Sequence, residues 1–467
     1  MTDFKDELLS CDTLGVAAAR SAYGCNLFAK NSDRPTGECQ PLIWIPAADH
    51  EEGEPLDCSG FTIPQAAHTY GVLGSHPYWI YGFEMGINEH GVFIGNEAEF
   101  SRDLGKEPED GLLGMDLLRL GLERGATARE AMEVIIDLTE KYGQNHNANP
   151  YGDGRYENSY LITDANEEWV LETAGRRHVA RRIDGTFAVG NCYSIEDDFE
   201  TASPDIEEYA RENGWLLPYE KFQFAKAYTK PGPGLTISNP RRRRVQQLAD
   251  RTNKHTIESL KAIFRDHHCD DALIMPRYNG MSGLFPTVCR HSLTLQASQT
   301  AATFIGGYRD VLGCVVRASF SQPCCSVFIP VYAGIELPEC LTKGGRMYSE
   351  DSLWWRMDRM VKLISIDEER FAPALRAEAA ALEERFEQRT LQAEEDAEEL
   401  IRQNKKDEAL GLLSALCREC TEEVSALAAK HTERVLSELK ELGVDRLQGT
   451  MADFLAAYCE RTGMPLL

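Results

Sequence analysis

"SCDTLGVAAARSAYGCNLFAKNSDRP", residues 10–35, is the stretch whose reading decides the fold. A strand-like run begins on Cys11, breaks at Tyr23-Gly24, and resumes as a second run ending in Lys30-Asn31-Ser32-Asp33-Arg34. Ten residues without a structural pattern precede the cysteine. If they are removed, Cys11 carries a thiol and a free α-amine on one residue. Their reference pKa values are ~8.5 and ~8, so either sheds a proton near neutrality. Such a residue supplies nucleophile and base together, as threonine–α-amine enzymes do. No histidine is then needed, and none of the 11 histidines stands as an obvious partner for Cys11. The plain alternative is a small buried residue at a strand start, and spacing alone favours it.

The surrounding chain sets limits. Its 467 residues suffice for two or three domains, or one large domain with an appendage, and 43% hydrophobic content supports a full core. Acidic residues outnumber basic ones by 26, which repels phosphate backbones and argues against a nucleic-acid partner. The run Arg241 to Arg244 opens a helix after Asn239-Pro240 and reads as local salt bridges, with one arginine free to meet a substrate carboxylate. "MTDFKDELLS" lacks the apolar core of a secretory signal, and no tract reaches the ~18 apolar residues of a membrane span. A cytoplasmic protein without a membrane partner is expected. Fourteen irregularly spaced cysteines are not a disulfide framework. Cys417-x-x-Cys420 has no second ligand pair, and His267-His268-Cys269 reads as a helix-end cluster rather than a metal site. No metal and no organic cofactor are expected.

Hydrophobic patterning organises the rest. "YGFEMGINEHGVFIGNEAEF" is a hairpin turning at Asn88 to Gly91. Thr127 to Glu130 form a capping box opening a helix with Met132, Ile135 and Ile136 on one face and Gly143 at its end. Residues 158–191 read as a meander, and 204–230 and 241–267 as mostly helical. "KPGPG", residues 230–234, lacks a phosphate-loop lysine and reads as a loop before a strand. Strands resume through "SQTAATFIGG", "LGCVVRASF" and "CCSVFIPVYAG". Hairpin-linked strands alternating with helix pairs predict an α+β fold of antiparallel sheets covered by helices. From about residue 350 the composition turns to Ala, Glu, Leu and Arg at helical period, predicting two or three long helices with a weak point near Asn404. They form either a coiled-coil arm for a homo-oligomer or a layer packed back on the sheets. The ragged stripe Phe371, Leu375, Leu382 and Phe386 favours the second.

The opening cysteine and "LFAKNSDRP" resemble the dipeptidase A and secernin family of cysteine-type N-terminal nucleophile hydrolases and, more distantly, the choloylglycine and penicillin V acylases. Lys30 stands where the acylases carry arginine, and Arg34, Pro35, Glu38 and Gln40 are closer to the secernin pattern. "INEHGVFIGNEA", "FAVGN" and "ISNPRRRRV" resemble further family segments. The resemblance implies a four-layer αββα sandwich over residues 11–345, a propeptide at 1–10 and a helical region at 346–467. It implies Cys11 as nucleophile, Asp33 as orienter of its amine, Asn96 and Asn191 as oxyanion donors, and Arg241 as a site arginine. Lys30 and Arg34 are expected to help hold substrate. The implied reaction is hydrolysis of a small peptide, a dipeptide in the first place, through a thioester. The alternatives are an acylase or amidase acting on N-acyl compounds, and a secernin-like scaffold in which Cys11 is inert.

Overall fold

Along β1 (Ser10–Val16), alternate residues serve two interfaces. Leu14 and Val16 join a core with Val245, Ala249, Leu260 and Phe264. Thr13 faces the opposite way and donates to Glu97, and a Cβ on Gly15 would meet Leu161 and Ile183 at 3.0 Å. One strand is therefore sandwiched between helices and a second sheet.

A computed structural model describes residues 10–106, 110–231, 234–270, 287–292, 294–295, 297–443 and 449–465. After β1 come β2 (Leu27–Pro35) and β3 (Leu42–Ile45). Two ribbons follow, β4 (Ala48–Asp49) with β7 (His68–Thr69) and β5 (Pro55–Cys58) with β6 (Phe61–Pro64). Next are β8 (Val72–Ser75), β9 (Met85–Asn88), β10 (Phe93–Glu99), α1 (Gly114–Arg124) and α2 (Ala128–Tyr142). β11 (Glu157–Thr163), β12 (Glu168–Ala174), β13 (Arg177–Arg182), β14 (Thr186–Gly190) and β15 (Thr201–Ala202) precede α3 (Ile206–Glu212), α4 (Phe224–Tyr228), α5 (Gly234–Asp250) and α6 (Ile257–Phe264). β16 (Ser298–Arg309), β17 (Gly313–Phe320) and β18 (Ile329–Tyr332) lead into α7 (Glu339–Thr342), α8 (Leu353–Ile364), α9 (Glu368–Arg402), α10 (Lys406–Glu441) and α11 (Thr450–Thr462).

The first sheet runs β14-β1-β2-β16-β17-β18 and the second β15-β13-β12-β11-β10-β9-β8-β3. Both are antiparallel along their ladders. They face each other across Phe28 and Phe93, whose rings stack at 5.7 Å. α1 and α2 cover the outer face of the second sheet through Leu117, Leu118, Leu120, Met132 and Ile135. α5 and α6 cover the first. The order helix, sheet, sheet, helix is the expected α+β sandwich.

The C-terminal helices pack back on it. Phe371, Leu375, Leu382 and Phe386 are all buried in one core with Val316, Val331 and Trp354. α9 and α10 run antiparallel, pairing Arg370 with Glu438 at one end and Arg389 with Glu423 toward the middle. The chain reverses at Asn404, which takes a left-handed φ of 61°. No helix of the described residues is long and apolar enough to cross a membrane.

Three local expectations change. The meander is split, because β14 leaves β13 and pairs with β1 in the other sheet. The residues after "KPGPG" form helix, not strand. α5 starts at Gly234 and contains Pro240, and its later residues Val245 and Ala249 dock under β1 and β14. Burial there overrides the β-branched run at its start. Finally, Thr127 does cap α2 by accepting from Glu130 N–H at 3.1 Å, but the Glu130 carboxylate reaches back to Ala126 N–H rather than to Thr127.

Candidate active site

Cys11 is the second residue of β1, which lies between two neighbours, β2 and β14. Its backbone N–H donates to Asn191 Oδ1 at 2.6 Å, and Asn191 sits one residue past the end of β14. Asn191 is fixed in turn by donating to Ala98 O at 2.8 Å. On the other side, Asp33 N–H points at Cys11 Sγ over 3.4 Å. Lys30, three residues earlier on β2, places its ammonium where it acts electrostatically on Cys11, and it reaches the Asn96 carbonyl and, at 3.4 Å, Glu97. Gly95 makes this route possible, since a Cβ there would lie 2.7 Å from Lys30 Cδ.

The electrostatics follow from burial. Cys11 is 5% exposed, and burial pushes its thiol up to about 12, opposed by Lys30 and reinforced by Glu84, Asp33 and Glu97. Burial alone would lower Lys30, but Cys11, Glu97 and Glu84 outweigh it and hold the ammonium above its ordinary value. Glu97 is raised by burial and partly restored by Lys30 and by the Thr13 hydroxyl. A fixed cation thus stands beside a protonated thiol.

Beneath Cys11, Arg241 braces the strand. Its Nε and Nη2 hold Asp12 Oδ2 at 3.0 and 2.7 Å, and Nη2 also donates to Cys11 O at 2.8 Å. Burial raises Asp12 to about 7 against the pull of Arg241. Asp33 Oδ2 lies 3.9 Å from the same guanidinium, and Asp33 Oδ1 accepts from Thr300 Oγ1 at 2.6 Å. Thr300 lies at a bulge where β16 slips by a residue against Ser32 and Asp33. The carbonyl of Ala301 in that bulge accepts from Trp354 Nε1 and Ser321 N–H, both at 2.8 Å. The C-terminal α8 thereby touches the backbone opposite the site.

Five of the expected residues converge here: Cys11, Lys30, Asp33, Asn191 and Arg241. Asn96 is adjacent through its carbonyl. Its Nδ2 donates to Asn158 Oδ1 at 3.0 Å, and its buried Oδ1 has no hydrogen-bond partner among the described residues. Arg34 lies in its own cage of Glu38, Glu84, Tyr156 and the Ala148 carbonyl, all within 3.1 Å. Arg241, expected as a site arginine, is fully buried and binds the internal carboxylate of Asp12. Asp12, Glu97 and Thr300 were missed. Asp12 is recognisable only by its place next to Cys11, and Thr300 is 267 residues from its partner with no local signal.

The histidine-cysteine run is also rearranged. His267 joins Cys289, His291 and Cys324, while Cys269 is exposed outside the group. Cys417 and Cys420 are both buried within α10.

Comparison with known proteins adds a family. Residues 10–380 match the family described as Peptidase family C69. A Bifidobacterium longum protein named Dipeptidase is 27% identical over 237 residues, covering 43% of this chain and 41% of that protein. The chain thus spans less than half the length of the curated relative it matches. Among solved structures, a variant of the conjugated bile acid hydrolase from Clostridium perfringens aligns with a TM-score of 0.36 and 13% identity, over 66% of this chain and 89% of the other. An N-acylethanolamine-hydrolyzing acid amidase ortholog from Caenorhabditis elegans aligns at 0.31 and 10%, over 63% and 92%.

Proposed function

Because the chain belongs to peptidase family C69, we propose that it hydrolyses the amide bond of small peptides, dipeptides first, with Cys11 as nucleophile. The observation that carries this reading is the seat of Cys11: its nitrogen on Asn191 Oδ1 at 2.6 Å, its sulfur between Asp33 N–H and the Lys30 ammonium.

Release of the amine comes first. Cys11 Sγ attacks the carbonyl carbon of Ser10, the Ser10–Cys11 amide breaks, and the departing nitrogen takes a proton. Water then cleaves the resulting thioester, leaving Ser10 as a carboxylate and Cys11 with a free amine. In turnover the amine accepts the thiol proton as sulfur attacks the substrate carbonyl. The proton passes to the leaving amine, and water resolves the acyl-enzyme. Asn191 Oδ1 holds the α-nitrogen, Arg241 and Thr300 hold Asp33, and Lys30 favours the thiolate. Asn96 Nδ2 is the proposed oxyanion donor, a role worth about 3 kcal/mol in barrier.

Intact mass separates the outcomes. Loss of residues 1–10, abolished in Cys11→Ala, together with turnover of dipeptides, supports the reading. Turnover of N-acyl amino acids without dipeptides moves the substrate class. Full activity in Cys11→Ala overturns the mechanism.

A further inference from the structure

His267, Cys289, His291 and Cys324 come from three separated segments, yet their ligand atoms all lie within 4.8 Å of one another. His267 follows the end of α6, Cys289 and His291 flank Arg290 on the approach to β16, and Cys324 stands on the 3-10 turn Pro323–Cys325. Cys289, His291 and His267 are all buried, and the Nε2 of His267, itself only 7% exposed, has no hydrogen-bond partner among the described residues. His291 Nε2 lies 3.6 Å from Cys289 Sγ and 3.3 Å from Cys324 Sγ. A tetrahedral zinc site with bonds of about 2.3 Å to sulfur and 2.0 Å to nitrogen has sulfur–nitrogen edges of about 3.5 Å. The two measured edges already match.

We propose that His267, Cys289, His291 and Cys324 form a structural zinc site. Two thiolates cancel the charge of Zn²⁺, so the centre is neutral apart from its imidazoles' dipoles and is tolerated in a buried place. Four protein ligands leave no open position, which is the pattern of a structural rather than a catalytic zinc. Binding displaces a proton from each thiol and leaves the oxidation state of sulfur unchanged. The expectation of no metal rested on the wrong neighbours: His268 and Cys269 adjoin His267 in sequence, whereas Cys289, His291 and Cys324 adjoin it in space.

The site closes three segments that serve the sandwich. Cys289 N–H already donates to Asp266 O at 3.2 Å, tying it to the end of α6. Asn31 of β2 spans the same two segments, donating to Phe264 O and Val288 O at 2.9 Å each. Arg290, between the two ligands, donates its N–H to Thr300 Oγ1 at 2.9 Å, and Thr300 donates to Asp33. The metal therefore acts as a positioning group that pins the 289–291 segment, two hydrogen bonds from Asp33. A cleft lined by Arg265, His267, Cys269, Cys324 and Arg376 gives an ion a route from solvent.

The test uses the full chain, reduced, stripped with chelator and titrated with Zn²⁺ or Co²⁺. About one zinc per chain is expected by elemental analysis. Co²⁺ should give the thiolate charge-transfer and strong visible bands of tetrahedral sulfur–nitrogen coordination. His291→Ala and Cys324→Ala should each abolish uptake, and Cys417→Ala should retain it. In case these variants fail to fold, alkylation of the wild-type chain followed by mass spectrometry decides independently. Zinc should protect half-buried Cys324, which lines the cleft, while leaving exposed Cys269 reactive. No uptake by the reduced chain, uptake retained in folded His291→Ala and Cys324→Ala, equal labelling of Cys324 with and without zinc, or a Cys289–Cys324 disulfide that persists under reductant would each overturn the site.

Discussion

Cys11 is reactive or inert according to what surrounds its nitrogen and sulfur. In the uncut chain its thiol is held near 12, so it stays protonated at pH 7. In the full-length chain, alkylation of Cys11 should be slow at neutral pH and accelerate as pH rises; rapid labelling at pH 7, read by peptide mass spectrometry, contradicts that environment. Lys30 gives a sharper test. Lys30→Met leaves Glu97 buried without its cation and should cost about 3–5 kcal/mol in denaturant unfolding. Adding Glu97→Gln should recover most of that loss while turnover stays low. If the double variant regains turnover, Lys30 contributes only to packing. At this scale the sequence was informative where chemistry was local. Cys11, Lys30 and Asp33 lie on one hairpin, so a short motif carries them. Thr300, Glu97 and the Cys289–His291–Cys324 group were not legible, because only the sandwich brings them to their partners.

Elements were legible where one pattern dominated. The break at Asn404, the buried stripe of α9 and the hairpin at Asn88 to Gly91 all followed from composition and period, with Gly91 at a φ of 97° where a Cβ would strike Tyr308. The sheet assignment of β14 was not, since a strand's own residues do not say which of two sheets it joins. Two element-scale outcomes follow. Asn404→Gly should stabilise the turn between α9 and α10 by roughly 1 kcal/mol, measured as a rise in Tm, because a left-handed residue costs about that much with a side chain. Trp354→Phe removes one donor from the bulge carbonyl of Ala301 while Ser321 still serves it. It should cost about 1 kcal/mol of stability and lower turnover through the β16–β2 bulge beside Asp33. Unchanged turnover would separate α8 from the site.

The molecule as a whole buries carboxylates. Burial raises Asp116, Glu157 and Glu172 to about 7 from the ordinary range near 4, against the hydrogen bonds they accept. A raised carboxyl binds its proton more tightly when folded, so between about pH 4 and pH 7 the native chain holds more protons than the unfolded one. These three groups therefore contribute stability that is complete below about pH 4 and is lost as pH rises through 7. Tm should fall between pH 4 and pH 7 and level off above, and Asp116→Asn should flatten the slope; a Tm that climbs over that interval contradicts the assignment. The crossing of β14 has one last consequence. Asn191 meets Cys11 only after a strand from the second-sheet meander has switched sides and closed beside β1, 180 residues along the chain. Nascent polypeptide still emerging from the ribosome thus lacks half of the cradle, so the proposed scission before Cys11 would be a clock that starts when assembly of the sandwich is finished.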